Sequence, residues 1–299
     1  MEICVCICTF KRPARVGALV RTLGEQITEG EFTMSVVVCD NDSARSAEVP
    51  VREAAATLSF PVSYCAEPEQ NIAKARNRAV RHSAGDFIAF IDDDEIPPRD
   101  WLLTSLRACL AHHADGVLAP VRPLFEHTPP AWLLKGGFCE RPEHATGYEL
   151  SWRETRTGNV LLRRSLVEGS VEPFDTAYGN GGEDTAFFKR LMADGARFVW
   201  CNEAAVHEVM PPDRCERRYF LKRAVLRGQN EKRLTTAASV FKSMVAVPVY
   251  IAALPFAMFA GQHWVMHVGI RLCDHAGKLA GVLGFKPLGK KYITPTPQE

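Results

Sequence analysis

The sequence has no excess of either charge: 36 basic residues face 35 acidic ones, for a formal net charge of +1. A near-neutral chain gives no electrostatic argument for a nucleic-acid partner, and none is expected. No basic segment leading into a short apolar core opens the chain, and Ile3 to Cys8 is already strand-like, so no signal peptide is expected. No two of the ten cysteines stand in a CxxC spacing, which removes the usual zinc sites. Cys4, Cys6 and Cys8 alternate with Val5 and Ile7 instead, so they share one face of a strand and read as small buried hydrophobes. Reduced thiols in the cytosol follow. No internal repeat runs through the 299 residues, which are 46% hydrophobic and 24% charged, enough for a substantial core and one or two domains.

Short apolar strands alternate with helical stripes along the first half. After Ile3 to Cys8, Pro13 opens a helix whose core stripe is Val16, Leu19, Val20 and Leu23. Val36 to Cys39 and Val62 to Cys65 are further strands. Asn71 caps a helix with Ile72, Ala75, Ala79 and Val80 inward, while Lys74, Arg76, Arg78 and Arg81 project elsewhere. Phe87 to Ile91, five apolar residues in a row, is a strand buried on both faces. A helix from Trp101 with Asp100 as its cap, a strand from Val117 to Val121, and a long Pro-, Gly- and His-rich loop from Arg122 to Trp152 come next. Thr157 to Leu162 resumes a strand, Glu183-Asp184 opens a helix after a glycine loop, and Arg197 to Cys201 is a last short strand before Val206-His207-Glu208. The alternation predicts an α/β fold with a mainly parallel sheet flanked by helices.

Three acidic sites end strands or open helices: Asp40, the cluster Asp92-Asp93-Asp94-Glu95, and Glu183-Asp184. Ligands of α/β sheets bind beyond the carboxyl ends of strands, so these sites are placed to surround one crevice. Asp92 and Asp94, two apart, suit a hard cation such as Mg²⁺ or Mn²⁺, and such a cation suits a diphosphate. A division of labour follows, with one carboxylate for a nucleotide, one for a metal on its phosphates, and one to take a proton from an acceptor. Singly, Asp40 also reads as a turn residue, Asp184 as a helix cap and His207 as a packed histidine.

The order of motifs resembles family 2 glycosyltransferases. Cys8-Thr9-Phe10-Lys11-Arg12-Pro13, Val38-Cys39-Asp40-Asn41-Asp42 and Asn71-Ile72-Ala73-Lys74-Ala75-Arg76-Asn77 look like their donor-binding half. Phe90-Ile91-Asp92-Asp93-Asp94-Glu95 is similar to their DxD strand. Thr157-Gly158-Asn159, Gly181-Gly182-Glu183-Asp184-Thr185 and Val206-His207-Glu208 are similar to their acceptor half. Within the family the likeness leans to bacterial glucosyltransferases that extend lipid-linked repeat units of succinoglycan-type exopolysaccharides. The resemblance covers roughly residues 1 to 230. It implies a GT-A fold and inverting transfer of one sugar from a nucleotide-sugar donor, commonly a UDP-sugar, to a glycan or lipid-linked oligosaccharide acceptor. It further implies that Thr9, Asp40 and Arg76 sit around the base and ribose, with Arg12, Asp92 and Asp93 also on the nucleotide-sugar side. Asp94 then binds the metal, Mn²⁺ or Mg²⁺, and His207 approaches the metal or diphosphate. Asp184 is the general base, with Gly158 and Glu183 on the acceptor side. One departure is Ala186, where relatives tend to carry aspartate, and it bears on the acceptor.

Two enzymatic rivals fit less well. Nucleotidyltransferases of similar architecture, such as nucleotide-sugar pyrophosphorylases, resemble one another in a glycine-rich loop after strand one, and Thr9 to Arg15 contains no glycine. Processive polysaccharide synthases resemble one another in a QxxRW motif, and Gln229 to Arg233 does not contain it. A non-catalytic scaffold would not need acidic residues at all three sites.

From Arg214 to Arg233, eight basic residues stand against two acidic ones, and Met244 to Gly261 has no charged side chain. Pro248 and Pro255 interrupt that stretch, and a second apolar stretch from Trp264 to Phe285 follows. A basic helix before an apolar hairpin suits a segment lying in or dipping into a cytoplasmic leaflet, the alternative being a soluble helical hairpin packed on the core. The expected organisation is a catalytic domain over 1–235, an apolar helical membrane-associating segment over 236–285, and a disordered tail over 286–299. The protein is expected at the inner face of the plasma membrane, held peripherally or monotopically.

Overall fold

The computed structural model describes residues 1–178, 181–230 and 236–285. They form two compact units, one of residues 1–122 with 141–209, the other of 123–140 with the described residues from 210 onward. The expected disordered tail, and Lys232 and Arg233 of the basic run, lie outside the described residues.

The first unit begins with β1 (Glu2–Thr9), α1 (Pro13–Leu23), β2 (Thr33–Asp40), α2 (Glu48–Ala55), β3 (Val62–Ala66), α3 (Ile72–His82) and β4 (Phe87–Asp92). Pro13 stands in the first turn of α1, and Val16, Leu19, Val20 and Leu23 are all buried. The Asn71 side chain caps α3 by accepting from the Lys74 N–H at 3.1 Å. Two details depart from the sequence reading. The short helix α2 carries no long stripe, only buried Val51 and Ala54, and Pro50 is tolerated in its first turn. Arg76 does not project outward with its basic neighbours; it is buried, for a reason given below.

β5 (Glu95–Ile96), α4 (Trp101–Ala111), β6 (Gly116–Leu118), β7 (Val121–Phe125), α5 (Ala131–Lys135), β8 (Val160–Arg163), α6 (Glu183–Ala193), β9 (Phe198–Trp200) and β10 (Val206–Met210) follow. Asp100 occupies the cap position of α4, but its side chain makes no capping bond. The single strand expected from Val117 to Val121 is broken at Ala119-Pro120, because Pro120 has no N–H for a ladder. The seven-stranded sheet has the order β3-β2-β1-β4-β8-β6-β9. All pairings are parallel except those of β8, which runs antiparallel to both β4 and β6. Thr9 lies opposite Asp40, and Cys8 opposite Asp92, so the motif strands end together at one edge.

Alternate residues of the inner strands enter two cores. Ile3, Val5, Ile7, Val36, Val38, Phe87, Ala89 and Ile91 pack with α1, α2 and α4. Cys4, Cys6, Val37, Cys39, Cys65, Ile88 and Phe90 pack with α3 and α6, so the cysteines serve as small apolar side chains there. Burial on both faces is what the uninterrupted run Phe87 to Ile91 requires.

The second unit holds α5, α7 (Arg217–Asn230), α8 (Ala237–Ala260) and α9 (Gln262–Val282). Trp132 and Leu133 of α5 meet Phe220 of α7 and Met266 of α9 in its small core. α7 and α9 approach backbone to backbone. A Cβ on Gly277 would stand 2.3 Å from the Val225 carbonyl oxygen, and one on Gly228 2.1 Å from that of Asp274. Arg227 forks onto Asp274 with two bonds of 2.9 Å. α8 contains both Pro248 and Pro255, and at 24 residues it is long and apolar enough to cross a membrane by length and composition.

Candidate active site

The site is built on the turn after β4. The chain bends sharply after β1, with Lys11 at φ +54°, and Arg12 reaches back to the acidic cluster. Its NH1 donates to Asp93 Oδ1 at 2.7 Å and to Asp94 Oδ2 at 3.0 Å, while the Thr9 hydroxyl donates to Asp93 Oδ2 at 2.7 Å. Asp93, Asp94 and Glu95 are buried, whereas the Asp92 side chain is half exposed. Glu95 folds back to accept the Asp92 N–H at 3.0 Å, which closes the turn.

This crowding shifts the carboxyls. Desolvation by the crowded turn, together with the charges of Asp94, Asp93 and Glu208, pushes Asp92 up to about 6 against the pull of Arg76. Burial and the neighbouring Asp92 push Glu95 well above the usual carboxylate range. Asp93 is raised by burial and restrained by Arg12.

Gly158 explains how the acids fit against β8. A Cβ there would stand 2.9 Å from Glu95 Oε1 and 3.2 Å from Asp92 Oδ2, so any larger residue would push these carboxylates from their present positions. The next residue, Asn159, is buried at φ +54°. It accepts from the Trp101 indole at 2.7 Å and donates to the carbonyls of Pro120 and Ala204 at 2.8 and 2.9 Å. Asparagine tolerates that backbone region, and its amide ties three chain segments together behind the acids.

Arg76 joins the two halves of the site. Its guanidinium pairs with Glu183, the residue before Asp184, and lies 3.9 Å from Asp92. Burial works against its charge, but Glu183 and Asp92 outweigh that and keep it cationic. Asp184 lies in the first turn of α6, while Gly182 at φ +93° takes the cap position. Asp184 is therefore not the cap; its Oδ1 accepts the Thr185 N–H at 2.7 Å, and the side chain is half-buried.

The remaining expected residues are placed differently from one another. Asp40 lies next to Thr9 in the sheet, but its carboxylate is fully buried and faces α2. It accepts from Ala47 N–H at 2.8 Å, Asp42 N–H at 3.0 Å and the Tyr64 hydroxyl at 3.0 Å. β10 runs beside the acidic turn, where the Val209 N–H donates to the Asp94 carbonyl at 2.8 Å. Its register sets Glu208 opposite Glu95 and the exposed His207 opposite Ile96. Cross-strand partners share a face, so Glu208 joins the acidic cluster, and His207 lies on the other side of that strand pair.

Sequence reasoning quoted Glu208 only as part of a motif, without a role, and passed over Arg141 and Arg156. Arg141 reaches Glu208 at 3.2 Å. Arg156 donates to the Ala119 carbonyl at 2.8 Å and lies 5.6 Å from the Trp200 ring centroid. Burial and the nearby Arg141 lower it to about 10, while Glu95, Asp92 and Glu208 draw it back. The signal for Arg156 was its place two residues before Gly158, and for Glu208 the residue beside His207.

The donor set suits a hard divalent cation. It consists of carboxylate oxygens, and among the described residues no three His, Cys, Asp or Glu side chains form a ready-made cage. Mg²⁺ and Mn²⁺ are commonly held by one or two carboxylates plus substrate phosphates, so Asp92 and Asp94 fit a metal shared with a diphosphate.

Such a sheet edge, with acids on a DxD turn and a carboxylate opening the facing helix, defines a GT-A glycosyltransferase. Residues 4–168 match the family described as Glycosyl transferase family 2, and the chain belongs to that family. It is similar to the succinoglycan biosynthesis protein ExoM of Rhizobium meliloti (strain 1021), with 32% identity over 317 aligned residues covering 98% of each chain. Among solved structures it is similar to TarS 1–349 from S. aureus in complex with UDP, at 18% identity and a TM-score of 0.55, covering 95% of this chain and 91% of that one. It is also similar to the mannosyltransferase PcManGT from Pyrobaculum calidifontis in complex with GDP-Man and Mn²⁺. That likeness has 18% identity and a TM-score of 0.57, covering 96% of this chain and 76% of that one. The two structural likenesses bear on the fold.

Proposed function

We propose that the enzyme transfers a single hexose, with inversion, from a nucleotide-sugar donor of the UDP type to a glycan acceptor carried on a lipid, in exopolysaccharide or other cell-surface glycan synthesis. The observation that carries this reading is Arg76, which pairs with Glu183, next to the proposed base, and itself lies 3.9 Å from the donor-side carboxylate Asp92. The name of the ExoM relative supports an exopolysaccharide pathway, and the nucleotide ligands of TarS and PcManGT support a nucleotide-sugar donor.

Asp184 removes the proton from the acceptor hydroxyl as its oxygen attacks the anomeric carbon from the face opposite the leaving diphosphate. The C–O bond to the diphosphate breaks, the new glycosidic bond forms with inverted configuration, and no covalent enzyme intermediate arises. Mn²⁺ or Mg²⁺ held by Asp94, with Asp92 beside it, supplies charge neutralisation for the leaving diphosphate when bound. Thr9 and Arg12 fix the turn that presents these acids, and Gly158 leaves the space they occupy. Incubating the purified enzyme with a panel of UDP-, GDP- and dTDP-hexoses and either metal, and measuring free nucleoside diphosphate, tests the reading. Release from a UDP-hexose is expected. Release confined to GDP- or dTDP-sugars overturns the donor assignment.

We further propose that α8 seats the enzyme in the cytoplasmic leaflet. Phe241, Met244, Val249, Ile251, Phe256, Met258 and Phe259 are exposed on it, Phe259 to 92%. α7 exposes Arg217, Arg218, Lys222, Arg223 and Arg227. Each basic residue near an anionic surface contributes about 1 kcal/mol, weakened by salt, whereas apolar insertion is much less salt-sensitive. The full-length protein is expected to pellet with anionic vesicles and to be only partly released by high salt. With Phe256→Asp and Phe259→Asp together, release by salt becomes complete. A wild-type protein that ignores vesicles and is monomeric without detergent overturns the membrane seat.

A further inference from the structure

α3 does more than cover the sheet. The Asn71 side-chain amide donates to the Thr176 carbonyl at 2.9 Å. Asn77 donates to the Phe174 carbonyl and accepts the Phe174 N–H, both at 2.8 Å. Arg76 pairs with Glu183, and its guanidinium lies 5.9 Å from the Phe174 ring centroid. Three side chains of one helix therefore grip a segment about 100 residues away, the one that leads into Asp184.

The chemistry of this grip is directional. Arg76 is 7% exposed and Glu183 4%, so the pair is largely withdrawn from solvent. Burying an ion pair is weak support for stability, since an apolar pair fills the same volume without desolvating two charges. The charge-assisted bond from Arg76 NH1 to Glu183 Oε1 does tether the carboxylate to α3. Orientation is what this segment lacks by itself, because Gly181 at φ +116° and Gly182 at φ +93° stand immediately before Glu183. Glycine leaves the backbone free there, and a pin on the first helical residue removes that freedom one position before the base.

We infer that Arg76 and Glu183 are positioning residues: the pair, anchored on α3 beside Asp92, holds Asp184 at the acceptor hydroxyl. Resting on the reading of Asp184 as general base, this gives Arg76 a task other than contact with the base and ribose. Glu183 Oε2, buried and without a hydrogen-bond partner among the described residues, also leaves the carboxylate held from one side only.

The test uses the full-length enzyme with Arg76→Lys and Glu183→Gln, which keep approximate size and hydrogen-bonding capacity while weakening the ion pair. Both are first checked for native circular dichroism and melting. UDP affinity, measured by calorimetry with Mn²⁺, is expected to stay within about threefold of wild type. The transfer kcat is expected to fall by at least about tenfold, since displacing a reacting group by about 1 Å can cost on the order of 10²-fold. Combined with Asp184→Asn, either substitution should add little further loss, because residues acting through one group are not additive. Loss of UDP affinity in parallel with kcat, or a fully additive double variant, overturns the positioning role and returns Arg76 to the nucleotide. A near-wild-type rate for Asp184→Asn alone instead overturns the base assignment, whatever Arg76 does.

Discussion

Asp94→Ala yields a folded protein with transfer activity lowered at least on the order of 10³-fold, the scale of losing a cation that contributes several kcal/mol to the transition state. Folding survives because Arg12, which pairs with Asp94, also holds Asp93 at 2.7 Å. Removing one of four neighbouring carboxyls also relieves repulsion that raises Asp92, Asp93 and Glu95, so the melting temperature is expected to stay level or rise. Calorimetry separates the effects: Mn²⁺-dependent tightening of UDP binding is expected in wild type and absent from the variant. A chelator should silence the wild-type enzyme until Mn²⁺ or Mg²⁺ is returned. Full activity in excess chelator would sink the metal role.

Asp184→Asn has the second largest expected effect. The amide keeps the shape and can still accept the Thr185 N–H, so the first turn of α6 is preserved. What disappears is basicity, and general-base catalysis is worth roughly 10²- to 10⁴-fold. Transfer should fall by that range while UDP affinity is unchanged. Parallel loss of donor binding would move Asp184 to the donor side, and an unaffected rate would leave it as a carboxylate favouring the helix N-terminus.

Much of the donor half was legible because its signals are local. Phe87 to Ile91 admits little but a strand buried on two faces, and the α1 stripe and the Asn71 cap each lie within a few residues. The grouping of Asp92 to Glu95 at a strand end was legible for the same reason. Long-range facts were not. A basic residue on an amphipathic helix reads as solvent-facing, and nothing near Arg76 announces that its partner is 107 residues away. Nor does a short apolar segment state its direction, so the antiparallel setting of β8 was invisible. The short helix α2, which turns Asp40 inward through the Ala47 N–H, lacked a stripe long enough to detect.

That antiparallel strand also orders events in time. β1 to β4 are linked by single helices, whereas β8 pairs Phe87 with Arg163 across a far longer stretch of chain. Closing long loops costs more entropy, and distant strand pairings form late. On the ribosome, where domains fold as the chain emerges from its N-terminus, the strands bearing Thr9 and Asp92 are available well before β8, and α6 comes later still. A nascent chain that has reached only β4 carries the strands of the proposed donor side but neither the proposed base nor the proposed acceptor side, so on that reading transfer waits until synthesis passes residue 184.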